Sequence, residues 1–364
     1  MRAALVGAKG ARAVRLARDL LEWPEVAHLT VVDPDPDAVE RIASSAPNKV
    51  SPVAVDLKTR GLADSLKEVD VAIGSGLEFE VEAAVASAAL SVGTPYLSTS
   101  DDTERVEALL EMDDEARSQG ALIVAGMGWS PGITNLLAAM GIASMDEARD
   151  VRVSWVTSAA GSHRAAVFER AVKAFSGVAP VFERGSWHRE PAGGRSEEVY
   201  FPEPLGWLRV QLCSGAETLS LPKVFPTLSQ VVVFGGLSEV AIDRAARGAA
   251  KAVGRGAITK LSPLLKMTSP LLPVLEKMGG SRQSWSAARV DVTGTSAGLQ
   301  QTHTFAVMDH QPNLISAPVL VAASMISDGW VEAKGSIPPE AVFGPIEFFR
   351  RLAERGVKVA RLER

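Results

Sequence analysis

From Met1 to about Val124 the chain alternates short apolar runs with amphipathic segments, and this alternation constrains the fold more than any other feature. The runs at 3–6, 29–32, 49–55, 69–73, 96–97 and 121–124 are bounded by polar or turn residues and read as strands. The intervening stretches 11–21, 37–44, 59–67, 80–92 and 103–118 place apolar residues at helical spacing. Strand–helix alternation of this kind closes into a doubly wound parallel sheet through right-handed crossovers, with ligands outside the carboxyl ends of the strands.

After Gly126 the texture changes. A helix at 133–143 precedes strands with period-two alternation at 151–156, 181–183, 208–212, 288–293 and 302–308, and turns rich in Gly and Pro fall at 191–195 and 202–206. This predicts a separate α+β domain. The interrupted helical stretch at 249–279 reads as a covering layer. A helix at 317–327, with Pro318 in its first turn and Gly329 just past its end, and another at 345–355 are expected to pack back onto the first domain. The expected fold class is therefore α/β, a Rossmann-type doubly wound parallel sheet made of 1–126 and 311–364, with an inserted α+β substrate and dimerisation domain at 127–310.

Lys and Arg are scattered and the net charge is only −5, so no nucleic-acid surface is expected. The single cysteine, Cys213, rules out an intrachain disulfide and a Cys-based metal site and predicts a reducing compartment, the cytoplasm. Met1 to Gly7 reads as a strand and not as a signal peptide, and no apolar run reaches membrane thickness.

The first strand ends in Gly7-Ala8-Lys9-Gly10-Ala11-Arg12-Ala13 and a helix follows at once, the context a dinucleotide fingerprint requires. Gly7 sits at the tight turn. Lys9 stands where a Gly would admit the pyrophosphate, and Arg12 replaces the third Gly. Either the two cations hold the phosphates together with the helix N-terminus, or the loop has lost ordinary cofactor binding. Asp33 closes the second strand, where a carboxylate accepts from ribose hydroxyls; this favours NAD, and nearby Arg12 leaves NADP possible. Asp56 is placed near the adenine edge, and Ser75 and Gly76 where a nicotinamide ribose would pass. In Ser98-Thr99-Ser100-Asp101-Asp102, Thr99 is a cofactor-lining candidate and either aspartate is a candidate helix cap.

The segment Gly126-Met127-Gly128-Trp129-Ser130-Pro131-Gly132-Ile133-Thr134-Asn135 resembles the Gly-x-Asp-Pro-Gly segment of the saccharopine dehydrogenase family, including its lysine 6-dehydrogenase-like members. The similarity extends through 198–206, 218–225 and 318–340 at low identity. The resemblance implies a homodimer that transfers hydride between NAD(P) and an imine or amine carbon of an amino-acid-derived or polyamine-like substrate. Three departures from the family pattern bear on the substrate: Ser130 stands where that family commonly has Asp, 157–161 lacks the Cys of a Cys-Gly-Gly turn, and 231–234 lacks an Arg. A less charged substrate or a cyclic imine is therefore admitted. Trp129, Trp155 and Phe168 are pocket or core candidates. Other readings are an enoyl or keto reductase on a lipid-like substrate, or a non-catalytic binding protein that retains the fold.

For proton transfer, His163, Ser130 and Asp101 are the catalytic candidates, His163 because imidazole titrates near neutrality. His188, His303 and His310 are weaker, and Glu78 and Glu80 could bind an ammonium group. No His pair has metal-ligand spacing, so no metal is expected. No Gly-x-Ser-x-Gly elbow supports a hydrolase.

Overall fold

The run Arg-Ala-Ala-Leu-Val forms the first strand of a sheet covered on both faces, which explains why four consecutive residues of it, Ala3 to Val6, are wholly buried. The computed structural model describes residues 1–159, 164–254 and 285–362. Along the chain, β1 (Arg2–Val6) leads to α1 (Gly10–Glu22), β2 (His28–Asp33) to α2 (Pro36–Ala43), and β3 (Val50–Ala54) to α3 (Arg60–Leu66). Then β4 (Val71–Gly74) leads to α4 (Phe79–Ser91), β5 (Tyr96–Ser98) to α5 (Thr103–Leu110) and α6 (Asp113–Ser118), and β6 (Leu122–Val124) to α7 (Ile133–Ala143).

There follow β7 (Glu147–Thr157), α8 (Arg164–Ala174), β8 (Val178–Glu183), β9 (Ser186–Pro191), β10 (Ser196–Phe201) and β11 (Gly206–Leu212). Next come α9 (Glu217–Val224), β12 (Gln230–Leu237), α10 (Val240–Gly254), β13 (Trp285–Ser296) and β14 (Leu299–His310). The chain continues through α11 (Gln311–Ser327), β15 (Gly335–Ile337), α12 (Pro339–Val342), α13 (Pro345–Glu354) and β16 (Val359–Leu362).

Contacts divide the chain into two units, Met1–Leu136 with Ile315–Leu352, and Leu137–Leu314 with Ala353–Arg364. The first holds a seven-stranded sheet of order β15-β6-β5-β4-β1-β2-β3, parallel throughout. Strand order reverses between β1 and β4, so the crevice outside their carboxyl ends is where such a sheet takes a ligand. The second unit holds a nine-stranded mixed sheet in which β7 pairs parallel with β12 and antiparallel with β13. Gly235 on β12 leaves room for Trp155: a Cβ there would stand 2.4 Å from the indole ring.

Three local expectations are corrected. The helix expected at 103–118 breaks after Leu110, because Asp113, Asp114 and Glu115 gather at the positive N-terminus of a second helix, α6. The helix expected to begin at 317 begins at Gln311, so Pro318 lies inside α11 and not in its first turn. Residues 353–364, read with the dinucleotide-binding part, supply β16 to the second sheet, where it pairs antiparallel with β14. The stretch 255–279 of the expected covering layer lies outside the described residues.

Candidate functional site: the crevice between β1 and β4

Gly7 closes β1 with φ +93°, its N–H donating to Val32 O at 2.8 Å. A Cβ on it would stand 2.2 Å from the carbonyl oxygen of Ser75, so the turn after β1 presses against the turn after β4 and only glycine fits. Gly10 also has positive φ, +85°, with nothing within 4 Å of where its Cβ would be. The second glycine of the cradle is therefore Gly10, one position beyond Lys9.

Lys9 is the N-cap of α1 but makes no side-chain cap bond, and the first turn, which includes Ala11, holds no acidic residue. The leading N–H groups of α1 are thus left to an anion. Ser75, 1% exposed, has a buried hydroxyl without a partner among the described residues, and Gly76 beside it has φ +64°. These residues fit a pyrophosphate.

Asp33 is buried, and both its oxygens are engaged: Oδ2 accepts from Ala8 N at 2.8 Å and Oδ1 from Asp35 N at 2.9 Å. It braces the loop from within. Lys9 reaches the other way, its Nζ lying 3.5 Å from Asp35 Oδ2. Burial alone would raise the pKa of Asp35, but the N–H groups of Ala38 and Asp37 and the charge of Lys9 outweigh it and hold the carboxyl below its usual value. Asp56 is exposed and accepts from Lys58 N at 2.9 Å, starting the turn before α3.

Arg12 does not point along the phosphate loop. Its Nη1 donates to Thr99 O at 3.2 Å and its Nη2 pairs with Asp101 Oδ2 at 3.0 Å, tying α1 to the turn after β5. Arg12, Thr99, Asp101, Trp129, Ser130 and Pro131 line one shallow cleft. Two adjacent aspartates thereby separate in role, since Asp102 caps α5 by accepting from Arg105 N at 3.1 Å.

The cleft floor is the loop after β6. Met127 N donates to Ser98 O at 2.7 Å, and Gly132, φ +123°, leaves so little room that a Cβ would lie 2.1 Å from Gly128 O. Asn135 holds this loop by accepting from Gly132 N at 2.9 Å and donating to Glu340 Oε2 at 2.9 Å.

Among the buried acids that the sequence reading did not single out, Glu82 lies on the helix after β4. Glu82, 4% exposed, accepts from Ser98 Oγ at 2.5 Å and Tyr96 Oη at 3.3 Å. Burial raises its pKa, with Ser98, Arg105 and Tyr96 pulling against it, while burial and Glu82 together push Tyr96 up. A glutamate on the same helix face as the buried Val85, Ala86 and Ala89 was the available signal. Of the acids named instead, Glu78 precedes α4 without a side-chain cap bond and Glu80 lies 3.5 Å from Lys58 Nζ.

His163 lies outside the described residues. His188 is exposed, with Nε2 3.1 Å from Glu190; Arg195 contacts both Glu183 and Glu190, bringing its own positive charge to that group. His303 is largely buried and bonds Ser144 Oγ at 2.7 Å, and burial followed by Arg361 lowers its pKa. His310 stacks on Trp285 with centroids 4.4 Å apart. Phe168 is fully buried core, and Trp155 packs over Gly235.

A parallel sheet with a glycine turn at its switch point and an uncapped helix N-terminus defines a dinucleotide-binding protein of the Rossmann class. Residues 3–124, about a third of the chain, match the saccharopine dehydrogenase NADP binding domain, the mark of an NAD(P)-dependent oxidoreductase. Among solved structures it is similar to apo saccharopine dehydrogenase (L-Glu forming) from Saccharomyces cerevisiae, with 13% identity, TM-score 0.67 and all of both chains covered. It also matches a meso-DAPDH mutant from Clostridium tetani E88 with 15% identity, TM-score 0.49, 96% of this chain and 95% of that one. At 13% identity the likeness to the yeast enzyme speaks for the fold alone. No helix among the described residues is long and apolar enough to cross a membrane.

Proposed function

We propose that this oxidoreductase transfers hydride at a C–N bond, imine or amine, of an amino-acid-derived or polyamine-like substrate. The observation that carries the cofactor half is the uncapped N-terminus of α1 behind a Gly7 that is packed against the Ser75 carbonyl. Gly7, Gly10 and the first N–H groups of α1 hold the pyrophosphate, and Ser75 offers its unpaired hydroxyl beside them. Asp33 and Asp35 place two carboxylates at the end of β2, which repel a 2′-phosphate and favour NAD over NADP; Lys9 offsets part of this.

When bound, the nicotinamide supplies or accepts the hydride. The cleft residues do the rest. We assign proton exchange at the substrate nitrogen to Asp101, whose Oδ2 lies against Arg12, and a hydrogen-bonding role to Ser130, and their shared cleft supports this. The resemblance to the saccharopine dehydrogenase group is what supports C–N chemistry over other hydride transfers.

Titrating the pure protein with NADH and NADPH, followed by nicotinamide fluorescence, tests the reading. Saturable binding, tighter for NADH, is expected; no saturation with either cofactor overturns it. A panel of imines, 2-oxo acid plus amine pairs and enones then locates the chemistry. Oxidation of NADH by enones alone would move the reaction to a C=C bond.

We further infer a cytoplasmic homodimer assembled through the α+β unit, where Trp187 and Leu299 are exposed and the buried Cys213 thiol is free. Light scattering that returns the monomer mass at micromolar concentration would exclude that assembly.

A further inference from the structure

The second unit has an open groove between β11 and α10, in which no dinucleotide-binding residue takes part and where Arg209 and Arg244 are exposed. Three arginines line it: Arg209 from β11, and Arg244 and Arg247 from α10, where a spacing of three puts both on one helix face. Like charges so placed repel unless acids or a bound anion join them.

The acids present compensate only in part. Asp243, 3% exposed, pairs through Oδ2 with Arg247 Nη2 at 2.8 Å, and its Oδ1 accepts from Leu237 N at 3.1 Å. The Nε of Arg247 is nevertheless buried with no acceptor among the described residues. Glu198 stands opposite Arg209 in the β10–β11 register, yet no ion pair joins them. Among the described residues the guanidinium groups of Arg209 and Arg244 make no hydrogen bond or close ion pair, and act on the Asp243 carboxyl only through space, lowering its pKa. Three guanidinium groups thus face two carboxylates, one of them already spent on Arg247 and a backbone N–H.

A guanidinium fork is matched by a planar carboxylate or a phosphate, which accepts two parallel N–H bonds from it. A further lining residue limits the rest of the ligand. Trp207 is 65% exposed, backed edge-on by Tyr200 with ring centroids 5.7 Å apart, so an uncovered indole stands at the mouth of the same groove. We propose that this groove binds an organic oxyanion, its carboxylate or phosphate-monoester head on Arg209, Arg244 and Arg247 and a flat apolar body against Trp207.

Calorimetric titration of the full chain with benzoate and with phenyl phosphate separates the two head groups. At least one saturates at a single site. Arg209→Gln/Arg244→Gln weakens that binding by about tenfold or more while the variant still unfolds in one cooperative transition above the titration temperature. Trp207→Ala weakens it by about threefold. Lys67→Gln/Lys334→Gln, which removes the same charge from exposed positions of the first unit, leaves it within about twofold. The site is refuted if neither probe saturates, if the double arginine variant binds as the parent does, or if the lysine variant loses as much.

Discussion

Arg12 and Arg244 are both arginines on helices that border a cleft or groove, and they are used in opposite ways. Arg12 is spent internally, on the Thr99 carbonyl and the Asp101 carboxylate, and so stitches α1 to the turn after β5. Arg244 has no such tie among the described residues and keeps its donors for whatever enters. The same contrast runs through the buried aspartates. Asp33 is satisfied by two backbone N–H groups, whereas Asp243 is forced to share its pocket with Arg247, and burial pushes its carboxyl pKa up to about 6 despite the nearby arginines. The first unit ties its charged side chains into the fold and leaves neutral donors open at the cradle, whereas the second leaves charge over.

The contrast is most directly broken at Gly7. Gly7→Ala places a Cβ against the Ser75 carbonyl at positive φ, and about 3–5 kcal/mol of stability should be lost along with cofactor binding, measured by denaturant unfolding and NADH titration. A variant that unfolds and binds like the parent would show that the cradle is looser than the geometry here.

Asp243 supplies the next effect. Its folded pKa, about 6, lies above the ordinary aspartate value, so between about pH 4 and pH 6 the folded state holds a proton the unfolded state has released. Stability should therefore fall as pH rises through that window, by up to about 3 kcal/mol, and level off above it. Asp243→Asn should flatten this slope in chemical unfolding followed from pH 4 to pH 7; an equal slope in both proteins would assign it to other groups.

Arg12→Leu comes third, with about 1–2 kcal/mol lost as the tie to Thr99 and Asp101 is cut. If Arg12 is a tie and not a phosphate ligand, the salt dependence of NADH binding stays as in the parent. Smallest is Lys9→Gly: its side chain is 65% exposed and leans on Asp35, so binding should change by only a few-fold, more at low salt than at high. A loss of a hundredfold would restore Lys9 as the main phosphate group.

The strands and helices of the first unit were legible because each is a short run whose period matches its burial, as in the fully buried Ala3 to Val6. The glycine turn after β1 was legible too, although the template put the second glycine one position early, at Lys9 and not at Gly10. What sequence could not give were partners far along the chain. Arg12 and Asp101 are 89 residues apart, and the helix pattern alone gives Arg12 no reason to turn from the loop. Asp33 stood where expected, but its two backbone donors, which make it a brace, depend on how the turn folds. The arginine groove was invisible because it joins a strand and a helix that share no motif.

The pairing of β16 with β14 has a consequence for how the protein is made. The second sheet gains this strand from residues that leave the ribosome after every strand of the first sheet. At about 5–20 residues per second, roughly 2 to 10 seconds separate the emergence of β14 from that of β16. Over that interval β14 presents the edge that β16 will cover, so a nascent chain stalled near Glu354 carries an unpaired strand in the second unit while the strands of the first are all synthesised.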